Sequence, residues 1–214
     1  RDRSPSRGFG DVYKRQVHVL GNSTNMDRFY SIVKNNKLEL IEDTCESLGS
    51  KYNNKYLGTF GRFGTFSFYV SHQISAGEGG MIICNNSEDY KIIHSLRAHG
   101  WDRGLNKKKN SSFNFINSGF NLRPLDLTAA IGYSQFKRLK KMIKNRNENR
   151  NKIISSVKNS KNWANQISFL EPTKKLKPSW FGLPILINKK FLKYKKQYLK
   201  HLNNQGINTR QSRS

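Results

Sequence analysis

TFSFYVSHQISAGEGGM, residues 65–81, is the stretch on which the reading of the whole chain turns. Phe66, Phe68 and Val70 alternate with smaller or polar residues, the period of a strand with one face in a core. The pattern breaks at Ser71-His72 and passes into a small, polar, glycine-containing turn from Ser75 to Gly80. Met81 to Cys84 then reads as a second strand. A strand that delivers a hydroxyl (Ser67) and an imidazole (His72) next to a glycine-permitted turn is a common way to build a site. The same pattern also describes a plain β-hairpin with a histidine at the edge of a core, so the flanking sequence has to decide.

Upstream, Val17–Leu20 predicts a short strand, Asn22-Ser23-Thr24 supply turn and cap chemistry, and Met26–Lys34 follow helical spacing. Leu38–Ile41 predicts a buried strand that ends on two acids, Glu42 and Asp43. This β-α-β rhythm implies an α/β fold, a mostly parallel sheet with helices on both faces. Acids at the C-terminal end of such a strand stand where α/β proteins place ligands, although Asp43 equally suits a helix N-cap. Gly49 to Gly64 reads as a loop or weak hairpin turning at Asn53-Asn54.

Downstream, Ser87-Glu88-Asp89 cap a helix over about Tyr90 to Ala98, with Ile92, Ile93 and Leu96 facing inward. Residues 100–118, rich in Lys and Asn around Lys107–Asn110, read as a mobile loop. Pro124 opens a long helix through Leu125, Leu127, Ala130 and Ile131, which runs on as a basic helix to near Val157. From Asn159 come a Trp-containing loop, a strand at Phe181–Ile187, a helix at Phe191–Asn204 and the start of a strand at Gly206–Thr209. The expected organisation is a large domain over residues 17–158, including the long connecting helix, and a small α+β domain begun over 159–214. Residues 1–16, RDRSPSRGFGDVYKRQ, have neither periodicity nor a signal-peptide h-region. They read as a non-native, adaptor-derived segment, with the native N-terminal part missing.

The chain has 214 residues, a formal net charge of +25 and a mean hydropathy of −0.76. The charge is unevenly placed: residues 1–16 and 17–135 carry +3 each, and residues 136–214 carry +19. The lysines of 137–144 and 189–200 are spaced as solvated faces of amphipathic helices, without the aromatic, base-reading partners of a nucleic-acid site. Nucleic acid is therefore not an expected partner. No apolar run approaches the roughly 20 residues needed to span a bilayer. The only cysteines, Cys45 and Cys84, form no framework, which fits a reducing, cytoplasmic setting.

Four segments together are similar to the DegT/StrS type of sugar aminotransferase, a family built on the pyridoxal-phosphate fold type I. They are LIEDTCESLGSKYNNKYLGTFGRFGTFSFY (40–69), HQISAGEGGMIICNN (72–86), LRAHGW (96–101) and SGFNLRPLDLTAAIGYSQ (118–135), with a weaker match at GINTR (206–210). The resemblance covers the chain from Val17 onward and implies a cofactor, pyridoxal or pyridoxamine 5′-phosphate. It implies that Asp43 keeps the pyridine nitrogen protonated, that Glu46 stands where the family usually has a Gln against the ring, and that Ser67 holds the phosphate. It also implies that Asn121 reaches the phosphate of a neighbouring subunit, and hence a homodimer.

His72 departs from the aminotransferase pattern, because that position is the lysine that forms the Schiff base. An imidazole forms no imine, yet its ordinary pKa of about 6.5 suits proton transfer near neutrality. The resemblance is therefore nearest to the 3-dehydratases of nucleotide-linked 4-keto-6-deoxy sugars, lyases of deoxysugar and O-antigen polysaccharide synthesis. In that branch the histidine is the base, and His72 takes that role. Some members hold an iron–sulfur cluster on four cysteines; with Cys45 and Cys84 alone no metal site is expected here. Two other readings compete: a family member that kept the fold for binding or regulation, and a basic nucleic-acid module resting on charge alone.

Overall fold

The computed structural model describes residues 13–105 and 113–210. Its first strand, β1 (Tyr13–Val17), is followed by helix α1 (Met26–Asn35) and strand β2 (Glu39–Asp43). Two very short strands, β3 (Lys51–Tyr52) and β4 (Lys55–Tyr56), precede β5 (Phe63–Ser67) and β6 (Gly80–Cys84). Helix α2 (Ser87–Arg97) and the long α3 (Asp126–Lys158) come next. Strands β7 (Ile167–Phe169), β8 (Leu176–Lys177) and β9 (Ile185–Ile187) and helix α4 (Lys195–Asn204) complete the order.

Two compact units result. The first runs up to residue 147 and takes in 172–182; the second comprises 148–171 and the residues from 183 onward. The division falls inside α3, not at its end. In the first unit the main sheet has the order β1-β2-β5-β6, with β1, β2 and β5 parallel and β6 antiparallel to β5. Register aligns the strand ends: Val17 pairs with Asp43, and Asp43 pairs with Thr65, two residues before Ser67. The C-terminal ends of three parallel strands thus form one edge, the usual ligand edge of such sheets.

The sequence accounts for this locally. Met26, Phe29 and Val33 recur at helical spacing, and α1 lays them against Leu40, Tyr52 and Leu57 in one core cluster. Asn25 caps α1 by accepting the Arg28 amide, one residue later than the expected Asn22–Thr24 cap. Asn53 and Asn54, at φ 48° and 64°, give β3 and β4 the two-residue left-handed turn their pairing requires. A second cluster, Leu48, Ile74 and Leu139 with Phe66, Phe68 and Ile143, packs beside β5.

Several boundaries differ from the sequence reading. The first strand lies at Tyr13–Val17 instead of Val17–Leu20, and Val19–Gly21 is a 3₁₀ turn with Leu20 at φ 57°. Residues 13–16, set aside above as adaptor-derived, are therefore paired with β2; residues 1–12 lie outside the described residues. β5 stops at Ser67, short of Val70, because the Phe68 carbonyl is taken by the Ala76 amide and the Tyr69 carbonyl by the His72 amide. Ile92 of α2 is exposed, and Asn86 caps that helix instead of Ser87-Glu88-Asp89. The centre of the Lys/Asn-rich loop, 106–112, lies outside the described residues.

In the second unit β7 and β9 form a two-stranded antiparallel sheet, and α4 begins at Lys195 instead of the expected Phe191, after a 3₁₀ helix over Lys189–Tyr194. β9 is shorter than the expected Phe181–Ile187 strand, and residues 206–209 form no strand. No helix among the described residues is long and apolar enough to cross a membrane.

Candidate active site

The C-terminal edge of the parallel strands gathers most of the chemistry. Asp43, the last residue of β2, is buried, and its Oδ1 accepts the Cys45 amide at 3.2 Å. Burial pushes the Cys45 thiol up to about 12, and the Asp43 and Glu46 carboxylates add to this, so the thiol stays protonated. Cys45 is therefore no nucleophile here. Glu46 is half-buried, and its Oε2 accepts the Leu20 amide at 2.7 Å, tying the 3₁₀ turn after β1 to this edge.

Ser67 and His72 meet directly: Oγ lies 3.4 Å from Nδ1, and the same Oγ accepts the Tyr69 amide at 3.3 Å. Tyr69 meets the imidazole edge-on at 6.0 Å between centroids, and Phe181 lies against it at 5.3 Å and 37°. The imidazole is thus held by one polar contact and two rings, with no partner for Nε2 among the described residues. Asn121 is not brought to this group. It is exposed, and its backbone bridges to Ala98.

Three supports were not apparent from sequence. Phe181 lies 109 positions from His72, in a stretch with no motif to mark it. Gln73 is buried, and its amide nitrogen donates to the Glu46 and Ser179 carbonyls. The third is Glu42, fully buried with His18. Its Oε2 accepts from His18 Nε2 at 3.0 Å and the Gly58 amide at 2.9 Å; its Oε1 accepts the Phe60 and Gly61 amides at 2.6 and 2.9 Å. Burial works to raise the Glu42 pKa, but these donors outweigh it and hold the carboxyl below its ordinary range. The gripped turn packs so closely on β5 that a Cβ at Gly64 would stand 2.0 Å from the Gly58 oxygen.

A cavity of about 660 Å³ lies within the second unit, lined by residues such as Trp163, Phe191, Tyr194 and Tyr198. Its lining contains no carboxylate and no imidazole, so the acid–base chemistry belongs to the sheet edge of the first unit.

Comparison with known proteins gives this geometry a context. Residues 16–212 match the model of the DegT/DnrJ/EryC1/StrS aminotransferase family. Over 206 residues the chain is 37% identical to a GDP-4-keto-6-deoxy-D-mannose 3-dehydratase of Escherichia coli O55:H7, covering 91% of this chain and 51% of that protein. It is 31% identical over 213 residues to the lipopolysaccharide biosynthesis protein RfbH of Salmonella typhimurium, covering 91% and 48%. Among solved structures, an E. coli GDP-4-keto-6-deoxy-D-mannose-3-dehydratase with bound hydrated PLP superposes with a TM-score of 0.83 at 36% identity. That match covers 94% of this chain and 54% of the other. The chain spans about half the length of the curated relatives it matches.

Proposed function

Because the chain belongs to the DegT/DnrJ/EryC1/StrS aminotransferase family, we propose that it carries part of the active site of a nucleotide-sugar 3-dehydratase using pyridoxal or pyridoxamine phosphate. The single observation that carries this reading is an imidazole, not an amine, beside Ser67 at the sheet edge where β2 ends on Asp43. The donor set fits such a cofactor held without a covalent bond. It offers a buried carboxylate for a ring nitrogen, a hydroxyl for a phosphate and a base with one unpartnered nitrogen. When bound, the cofactor supplies the amine that condenses with a sugar ketone and the electron sink that stabilises the resulting negative charge.

The chain's own residues do the rest. Asp43, as a carboxylate, keeps a pyridine nitrogen protonated, and Ser67 donates its hydroxyl proton to a phosphate oxygen. Glu46 flanks the ring position with one oxygen already engaged by Leu20. His72 would take at Nε2 a proton released from the cofactor's C4′ carbon and could return it to the sugar's departing 3-hydroxyl, which leaves as water. The substrate class is a nucleotide-linked 4-keto-6-deoxy sugar, with the GDP-linked manno form first in view of the E. coli relative, in the synthesis of surface polysaccharide. A cytoplasmic setting goes with this chemistry and with two free cysteines.

Homodimerisation belongs to the same reading. Asn121 is exposed within a stretch that also exposes Phe120, Leu122, Leu125 and Leu127, each at 64–69%. A second copy seated there would cover this apolar surface and bring Asn121 to its site.

The test uses the full-length protein with pyridoxamine phosphate and GDP-4-keto-6-deoxy-D-mannose. Loss of the 3-hydroxyl, reduced at least about 100-fold by His72→Asn, is expected on the usual scale of general-base contributions. Formation of a 4-amino sugar would sink the dehydratase in favour of a transaminase. Cofactor binding without turnover would favour a binding protein.

A further inference from the structure

The Ser67–His72 contact carries a consequence for which nitrogen of the base bears the proton. A serine hydroxyl offers one donor and two acceptor lone pairs. In this structure Ser67 Oγ faces the Tyr69 amide, which can only donate, and His72 Nδ1, which donates or accepts according to tautomer. Among the described residues no other group accepts from this hydroxyl, so its proton can point at Nδ1, and the imidazole then carries its own proton on Nε2. In that arrangement Nε2 is a donor and cannot act as a base.

A phosphate monoester reverses this. Its oxygens are acceptors, so the Ser67 hydroxyl proton turns to them. Both Ser67 lone pairs then require donors. The Tyr69 amide supplies one, and among the described residues a protonated Nδ1 is the group placed to supply the other. We propose that phosphate binding at Ser67 fixes the tautomer of His72, moving its single proton from Nε2 to Nδ1 and leaving Nε2 bare. The ring's charge does not change; solvent carries one proton off Nε2 and delivers one to Nδ1. Ser67 is in this respect a positioning residue for the base, and Phe181 and Tyr69 keep the ring from turning Nε2 towards the hydroxyl instead. Contacts of 3.3 and 3.4 Å are long for hydrogen bonds and are of the kind that tighten when a site fills. The inference rests on the proposed role of Ser67 as a phosphate ligand.

Nitrogen-15 NMR of the histidine side chains of the full-length protein at mildly alkaline pH, with His72 assigned by its loss in His72→Asn, tests it. Millimolar pyridoxamine 5′-phosphate should move the His72 Nε2 resonance downfield, as a bare nitrogen, and Nδ1 upfield. Pyridoxamine, which lacks the phosphate, should move neither. Ser67→Ala should lose the response and Ser67→Thr should keep it, which separates a positioning role from a structural one. Pyridoxamine phosphate that binds by absorbance but leaves the two resonances where they were overturns the tautomer proposal alone. Absence of any binding at millimolar concentration overturns the cofactor reading, and this proposal with it.

Discussion

Glu42 stands on the opposite face of β2 from Asp43 and is nonetheless the residue on which the geometry of this edge most depends. Four donors converge on its carboxylate, three of them backbone amides from the 58–61 turn. That turn is packed against β5, and β5 delivers Ser67, so the grip of Glu42 is transmitted to the site through backbone. The folded pKa lies below the ordinary value, so the ionised carboxylate contributes stability that is present above about pH 4.3. That stability is lost as pH falls through the lower, folded value. Glu42→Gln keeps the shape but turns an NH₂ towards amides that can only donate, and should cost about 2–4 kcal/mol at pH 7. Urea unfolding at pH 7 and pH 4 measures both effects: the variant should be less stable at pH 7 and lose less on acidification. An unchanged acid slope would remove Glu42 as its origin.

At the scale of elements, the N-terminal part of α3 is the part whose surface asks for a partner. Leu127 is 69% exposed, Tyr133 66% and Phe136 56%, on a helix that begins beside Phe120 and Leu122. If a second copy covers this face, the chain sediments as a dimer at micromolar concentration. Leu127→Glu with Phe136→Glu should then yield monomers with unchanged far-ultraviolet circular dichroism. A monomeric parent chain would sink the dimer reading. α3 itself was legible in the sequence, because Pro124 is followed by a long run rich in Leu, Ala, Lys and Arg with no further proline before Pro172. So was β2, whose apolar run ends on Glu42 and Asp43. The end of β5 was not legible: Phe66, Phe68 and Val70 keep the strand period, and only the capture of the Phe68 and Tyr69 carbonyls by Ala76 and His72 takes the chain out of the sheet. The grip of Glu42 was equally hidden, since backbone amides 16 to 19 residues away carry no side-chain signature. Asp43, Ser67 and His72 stand out in the sequence at or just past strand ends, the resemblance alone supplies their roles, and it is the register of β2 and β5 that aligns those ends.

On the scale of the molecule the two units differ in what holds them. The first has a four-stranded sheet and two buried apolar clusters; the second has a two-stranded sheet and an open apolar cavity. A pair of strands is marginal alone, so backbone amides of β7 and β9 should exchange with deuterium faster than those of β2 and β5, by at least about tenfold. Equal protection would show one cooperative structure. The main sheet also has an unfinished side. Among the described residues β6 pairs only with β5, and its Met81 and Ile82 are 42% and 51% exposed. An open edge of this kind is a template for strands from other molecules. What opposes such stacking is the repulsion between copies that each carry +25. That repulsion fades once the screening length falls to about 8 Å at physiological ionic strength. The purified chain is therefore expected to stay clear in dilute buffer and to be lost slowly as fibrils once salt masks its charge, which light scattering against ionic strength measures.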